Sequence, residues 1–288
     1  MSFRVLIADS LAPEGPKAVE ARDGLVVDNR KGIAREELLE CIAEYDALVV
    51  RSRTQVDVEL LKAATKLKVV GRAGIGIDNI DIKAATHRGV IVMNTPDGNA
   101  VTTAEHTLSM ILSASRLIPQ ATASMKAGRW EKKKFMGREL SGKTLGIVGL
   151  GNIGRIVADR AQGLKMRVVG YDPFFSPEAA ERIGVEFLEL DEVMARADIL
   201  TVHTPLTEQT RGLVNDAQIE RMKPGVLLVN CARGGIYDEA ALARGLESGK
   251  VGAVALDVFV EEPPPGDHPL LTHERVICTP HLGASTFE

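Results

Sequence analysis

The sequence predicts an α/β protein of two doubly wound domains, each with a parallel sheet covered by helices on both faces. Short β-branched runs alternate with helical stretches almost without interruption, the pattern of parallel strands joined by helical crossovers. The alternation falls into two blocks, one over residues 3–97 and one starting near Thr144. The length, 288 residues, is room for about two domains at roughly 100–200 residues each.

In the first block the strand candidates are residues 5–8, 25–27, 47–50, 68–70 and 90–93. Helical segments lie between them, and in residues 36–45 Leu38, Leu39 and Ile42 share one face at a helical period. A long helix is predicted over residues 100–117, with Asn99 as N-cap and Pro119 ending it. Residues 126–138 are basic and irregular, hold the single tryptophan, Trp130, and read as a hinge and arm. The second block offers strands at residues 145–148, 167–170, 186–188, 199–202, 226–229, 253–256 and 276–278. The proline-rich stretch 261–268 is predicted to be loop, because proline fixes φ and removes a donor. Ser285-Thr286-Phe287-Glu288 has capping-box spacing. A helix is therefore expected to begin where the sequence stops, and the chain reads as a piece of a longer protein.

Lys and Arg total 35 against 39 Asp and Glu, a net charge of -4. There is no basic excess to neutralise a phosphate backbone, so nucleic acid is not an expected partner. No apolar run approaches the roughly 20 residues that span a bilayer. Met1-Ser2-Phe3-Arg4 runs straight into strand-like Val5-Leu6-Ile7 without a signal-peptide pattern. Cys41, Cys231 and Cys278 are odd in number and far apart. They read as free thiols, not as a disulfide frame or a metal site, and a cytoplasmic location is expected.

Gly149-Leu150-Gly151-Asn152-Ile153-Gly154 follows an apolar strand and opens a helix predicted over residues 155–164. In such a turn the first glycine allows the tight bend, the second lets the backbone approach a pyrophosphate, and the third permits close helix–strand packing. The helix N-terminus then presents free N–H groups and partial positive charge to the phosphates. Asp172 ends the next strand, eighteen residues after Gly154. Its carboxylate can accept hydrogen bonds from ribose hydroxyls and would repel a 2′-phosphate, which favours NAD over NADP. A lone glycine-rich turn is a weak signal; with its strand, helix and acid it reads as a Rossmann-like dinucleotide site.

Ligands of open parallel sheets sit outside the carboxyl ends of the strands, and polar residues of the second block concentrate there. His203-Thr204-Pro205 follows one strand and Asn230-Cys231-Ala232-Arg233-Gly234-Gly235 the next. Asp257 follows a third, with Glu261 and Glu262 beyond it, and Pro280-His281-Leu282-Gly283 follows the last. Hydride transfer from a 2-hydroxy acid requires a base for the hydroxyl proton, a cation for the carboxylate, and a cofactor on one face of C2. Histidine suits the first role because its ordinary pKa, about 6.5, lies near working pH. Arginine suits the second because its planar fork matches a carboxylate. A carboxylate beside the histidine favours the imidazolium and fixes the tautomer. His281, Arg233 and Glu262 are the candidates. Taken singly each has a structural reading: a histidine after a strand, an arginine capping a turn, a solvated glutamate. His87, His106, His268 and His273 lack strand-end placement and read as structural.

Together these residues resemble the D-2-hydroxyacid dehydrogenase family, over essentially the whole chain. The strings that carry the resemblance are Val69-Val70-Gly71-Arg72-Ala73-Gly74-Ile75-Gly76-Ile77-Asp78-Asn79, Trp130-Glu131-Lys132-Lys133-Lys134-Phe135-Met136-Gly137, Asn230-Cys231-Ala232-Arg233-Gly234-Gly235 and Thr279-Pro280-His281-Leu282-Gly283-Ala284-Ser285-Thr286. The resemblance implies a catalytic set of Arg233, Glu262 and His281. It implies NAD contacts at Gly149, Gly151, Asn152, Ile153, Gly154, Asp172, Thr204, Cys231, Ala232, Arg233, Asp257, His281, Gly283 and Ala284. It further implies that a nucleotide domain, residues 98–281, is inserted into a substrate domain made of residues 1–97 and completed by residues 282–288 and a further helix.

Substrate contacts are expected at Arg51, Arg72 and Gly74, and at Lys132 on the arm. The arginines suit the phosphate of a small-molecule substrate such as 3-phosphoglycerate. Arg53 has no assignable role, and the lysine run 132–134 also reads as an ordinary solvated surface. A homodimer or homotetramer built around the long helix and arm is implied as well. Two other readings stay open: a family member reducing glyoxylate or hydroxypyruvate, and an NAD-sensing interaction protein of the corepressor kind, which shares the fold.

Overall fold

The computed structural model describes residues 2–96 and 98–287. The chain divides into two compact units, Met1–Asn99 and Ala100–Glu288.

The first unit runs β1 (Phe3–Ile7), α1 (Glu14–Glu20), β2 (Leu25–Asn29), α2 (Arg35–Cys41), β3 (Ala47–Val50), α3 (Val58–Ala63), β4 (Val69–Arg72), α4 (Ile82–His87) and β5 (Ile91–Asn94). Its sheet is wholly parallel, in the order β2-β1-β3-β4-β5. Short polar caps set where two of the helices begin. Asp57 accepts from Leu60 N at 2.9 Å to start α3, and Asp81 accepts from Ala84 N at 2.8 Å to start α4. The core is aliphatic around one buried ring: Leu6, Leu38, Ile42, Leu48, Leu60 and Val70 pack with Tyr45. The chain reverses direction across the sheet between β1 and β3, so residues following these two strands share the topological switch point.

The second unit runs α5 (Ala100–Arg116), α6 (Ile118–Lys126), β6 (Thr144–Val148), α7 (Asn152–Gly163), β7 (Arg167–Tyr171), α8 (Pro177–Arg182), β8 (Glu186–Phe187), α9 (Leu190–Arg196), β9 (Ile199–Val202), α10 (Asp216–Arg221), β10 (Val226–Asn230), α11 (Glu239–Glu247), β11 (Val251–Leu256), α12 (Pro269–Thr272) and β12 (Val276–Cys278). The parallel sheet is ordered β12-β11-β10-β9-β6-β7-β8, with its switch point between β6 and β9. Both faces are apolar, as a sheet covered on both sides requires. Leu145 and Ile147 of β6 join Leu108, Ile111, Val157 and Ala161 on one face. Val148 of β6 joins Leu200, Leu228, Val193, Leu242 and Leu246 on the other.

The long helix ends as expected, but not through Pro119. Leu117 takes a left-handed conformation, φ 54°, and the chain turns directly into α6. Pro119 lies in the first turn of α6, where no N–H is needed and its fixed φ suits the helix, so it opens a helix rather than closing one. The capping-box expectation at Ser285 rests on Glu288, which lies outside the described residues, as does Asp97 at the end of the first predicted block. Among the described residues no helix is long and apolar enough to cross a membrane.

Candidate active site

The glycine turn lies at the switch point of the second sheet, and each glycine meets a different constraint. A Cβ on Gly149, whose φ is 97°, would sit 2.5 Å from the His203 carbonyl oxygen. One on Gly154 would sit 2.0 Å from the Gly149 carbonyl oxygen, so α7 packs on its own strand only with glycine there. Gly151 faces open space and, as N-cap of α7, offers no side-chain cap to the first helical N–H groups. Asp172 is fixed against this turn. Its Oδ2 accepts from Leu150 N at 2.8 Å and its Oδ1 from Phe174 N at 2.8 Å. Each oxygen keeps a further lone pair for an outside donor.

His281 occupies the turn after β12 in a left-handed conformation, φ 53°, which costs of order 1–3 kcal/mol for a residue other than glycine. The surrounding loop holds it there. His281 N donates to the Asp257 carbonyl at 2.9 Å. The Asp257 carboxylate accepts from Leu282 N at 2.7 Å, Gly283 N at 2.8 Å and the Thr279 hydroxyl at 2.6 Å. Across this turn His281 Nδ1 lies 2.7 Å from Glu262 Oε2. An ionised carboxylate only accepts, so Nδ1 carries the proton and Nε2 is left as the basic nitrogen. Glu262 is itself held by Phe259 N, which donates to Oε1 at 3.1 Å. Burial pushes the Glu262 carboxyl up, but the donors from His281 and Phe259 outweigh it and hold it below the ordinary carboxylate value.

Arg233 lies on the loop after β10. Asn230, 2% exposed, closes that loop: its Oδ1 accepts from Ala232 N at 3.0 Å and its Nδ2 donates to the Arg233 carbonyl at 2.7 Å. The next residue brings the Arg233 loop against the Glu262 loop. A Cβ on Gly234 would fall 1.8 Å from the Phe259 carbonyl oxygen and 2.6 Å from Val260 N, an approach open only to glycine. The loops bearing Arg233, Glu262 and His281 are thus tied to one another by Gly234, Phe259 and Asp257. Burial pushes the neighbouring Cys231 thiol up to about 12, so it stays protonated and is no nucleophile.

Asp257 is buried, and burial pushes its carboxyl up. The His106, Thr279 and Leu282 donors win, leaving it below the ordinary value. A depressed carboxyl adds stability that is present above the unfolded value, about 3.9, and is lost as pH falls through the folded pKa. The stability gap between the wild-type chain and Asp257→Asn is therefore expected to narrow as pH drops below about 4. Urea unfolding followed by circular dichroism at several acid pH values measures it, and a gap constant over that range contradicts the assignment.

In the first unit, Arg51 and Arg72 stand at the carboxyl ends of β3 and β4. Asp9, at the end of β1 and 3% exposed, accepts from Arg51 N at 2.6 Å and from the Thr54 hydroxyl at 2.8 Å. Asn79 donates from Nδ2 to the carbonyls of Arg51 and Thr54, each at 2.7 Å. The loop is thereby fixed from both sides while the Arg51 side chain stays exposed. The Arg72 guanidinium folds over Gly74, whose Cβ, if present, would lie 1.5 Å from Nη1. Arg53, without a role in the sequence reading, donates to the Ile33 carbonyl at 2.6 Å and so braces its own loop. Lys132 sits in an exposed 3-10 turn, Lys132–Lys134, beside Trp130, which is 80% exposed.

Residues 108–283 match the NAD-binding domain of the D-isomer specific 2-hydroxyacid dehydrogenases. The chain belongs to this family. It is 51% identical over 286 residues to a D-3-phosphoglycerate dehydrogenase of Archaeoglobus fulgidus, covering 99% of this chain and 54% of the relative. It is 54% identical over 285 residues to the D-3-phosphoglycerate dehydrogenase of Homo sapiens, covering 99% and 53%. The chain thus spans about half the length of the curated relatives it matches. Among solved structures it resembles a glyoxylate reductase from Paecilomyes thermophila, with TM-score 0.91 and 32% identity over 99% of this chain and 90% of that one. It also resembles the TT0316 protein from Thermus thermophilus, with TM-score 0.90 and 34% identity over 98% and 90%.

The residues present fit the NAD that the family's nucleotide domain holds. Gly151 leaves a cradle that any Cβ would fill, above uncapped N–H groups of α7. Next to Gly149, whose Cβ would lie 3.0 Å from Thr204 Cγ2, the Thr204 hydroxyl is buried with no hydrogen-bond partner among the described residues, a group that a polar ligand satisfies. His203, behind the glycine turn, is held neutral because burial pushes its pKa down to about 4. Three of the residues described above stand outside the candidates read from the sequence. Asp9 signals nothing by type or spacing, and Asn79 appears only as the last residue of a string that carries the family resemblance. His106 does carry a signal: it shares one face of α5 with Thr103 and Met110 at spacings of three and four.

Proposed function

We propose that the protein oxidises 3-phosphoglycerate at C2 to 3-phosphohydroxypyruvate with NAD, the first step of serine biosynthesis. The Glu262–His281 pair, with its 2.7 Å hydrogen bond, carries this reading. It leaves Nε2 as the base that takes the C2 hydroxyl proton while Glu262 stabilises the imidazolium that results. Arg233 holds the substrate carboxylate and polarises the forming carbonyl. NAD, when bound, supplies the acceptor for the hydrogen leaving C2. The turn Gly149–Gly154 with Asn152 and Ile153, the Asp172 carboxylate, Thr204, the 231–233 loop, Asp257 and the 281–284 loop hold that cofactor. Asp172 selects it over NADP by repelling a 2′-phosphate.

In the first unit, Arg51 and Arg72 bind the substrate's phosphate and Gly74 makes room for the Arg72 guanidinium. Lys132 adds a cation on the arm. The first unit serves as the substrate domain and the second as the nucleotide domain, within a cytoplasmic homodimer or homotetramer. Identities of 51% and 54% to D-3-phosphoglycerate dehydrogenases support the substrate, against 32% to the glyoxylate reductase.

The test is an NADH-absorbance assay with 3-phosphoglycerate, 2-oxoglutarate, glyoxylate and hydroxypyruvate side by side. Turnover of 3-phosphoglycerate is expected. Arg51→Gln and Arg72→Gln are each expected to raise its KM about tenfold or more, the worth of a hydrogen bond to a charged group, and to leave glyoxylate kinetics unchanged. Equal losses on both substrates, or none on either, argue against a phosphate pocket.

A further inference from the structure

We propose that His106 is a positioning residue for the catalytic imidazole, acting through Asp257 on the 279–283 turn. The inference rests on the dehydrogenase reading above and extends it to a residue outside the strand-end loops.

The Asp257 side chain is 0% exposed and that of His106 is 17% exposed. Three of the four polar groups that meet the Asp257 carboxylate lie on the 279–283 segment itself: the Thr279 hydroxyl, Leu282 N and Gly283 N. The fourth is His106 Nε2, 3.1 Å from Oδ1, which arrives from α5. The same Nε2 is hydrogen-bonded to the Thr279 hydroxyl at 3.1 Å, which itself donates to Oδ1, so His106 faces the carboxylate both directly and through that hydroxyl. The α5 face carrying His106 backs the turn at two further points. Thr279 Oγ1 lies 3.8 Å from Met110 Sδ, and a Cβ on Gly283 would meet Thr103 Cγ2 at 3.5 Å.

This arrangement anchors a turn that does not relax on its own. His281 sits at φ 53°, and a bulky residue keeps that conformation only where its surroundings over-determine it. Asp257 supplies the constraint through its carbonyl, which takes His281 N, and its carboxylate, which takes the next two N–H groups. Asp257 in turn is oriented by the donor from a packed helix. Removing the His106 N–H takes away the polar contact that ties Asp257 and its turn to α5, so the two loosen against the helix and the ring of His281 drifts from Glu262. Small displacements of a positioned base cost large factors in rate.

The experiment compares His106→Gln, whose side-chain amide N–H reaches the place of Nε2, with His106→Asn, which is too short, and His106→Leu, which has no donor. Circular dichroism and thermal melts confirm that each is folded. Two readouts are taken: the single-turnover rate of NADH formation, and the downfield proton resonance of the His281 Nδ1–H bonded to Glu262 in protein with 15N-labelled histidine. The resonance requires neither substrate nor turnover, so it reads the His106 effect even where the proposed activity fails. His106→Gln is expected to keep most of the rate and the resonance. His106→Asn and His106→Leu are expected to lose about tenfold or more in rate, with a broadened or absent resonance and a substrate KM within about twofold of wild type. Wild-type behaviour in all three variants overturns the proposal. So does a Gln variant as impaired as the Leu variant, or a rate loss that leaves the resonance untouched.

Discussion

His281→Asn is expected to bind NADH with close to wild-type affinity and to lose about a thousandfold in turnover, within the range that general acid–base catalysis contributes. Asparagine fits the left-handed turn at position 281 better than most residues, so the loop keeps its shape and the substitution removes the imidazole alone. The His281 main-chain N–H, which donates to Asp257, is unaffected by the change. Fluorescence titration with NADH and the steady-state rate with 3-phosphoglycerate measure the two effects separately. Turnover within tenfold of wild type removes His281 from the base role. Loss of NADH binding in step with turnover makes cofactor binding, not proton transfer, its main role.

Gly234→Ala is expected to reduce the rate about a hundredfold without touching a reacting group. Its Cβ would stand 1.8 Å from the Phe259 carbonyl oxygen and 2.1 Å from the carbonyl carbon. These are backbone atoms, so the loop after β11 must shift as a body. Phe259 N is the donor that holds Glu262 Oε1, and a shift there turns Glu262 away from His281. Overpacking of this kind costs about 1–3 kcal/mol, which appears as a lower thermal midpoint. A variant with wild-type rate and midpoint contradicts the close approach of the two loops.

The central strands of the second sheet are legible in the sequence because strands buried on both faces become nearly unbroken Val, Ile and Leu runs. Val226–Asn230 is the clearest case, with all five residues buried. The glycine turn is legible because its three glycines answer three separate steric demands at fixed spacing. What stays hidden depends on tertiary contact. The break at Leu117 comes from a left-handed residue that no turn signal marks, and Pro119 serves a helix start as readily as a stop. Gly234 reads as one of many glycines until Phe259 is beside it. His106 lies inside a helix, where only its partner on another element, Asp257, distinguishes it from a structural histidine. Arg53 resembles Arg51 in sequence and parts from it because the Ile33 carbonyl and the Asp9 carboxylate lie within its reach.

A crystal structure of the chain grown with NADH and 3-phosphohydroxypyruvate puts the catalytic assignment to its most direct trial. The expected result is the keto acid with its carboxylate on the Arg233 guanidinium and its C2 oxygen roughly 3 Å from His281 Nε2, the Glu262 contact at Nδ1 being kept. A ligand whose C2 oxygen is met by another group, with Arg233 turned to solvent, contradicts it.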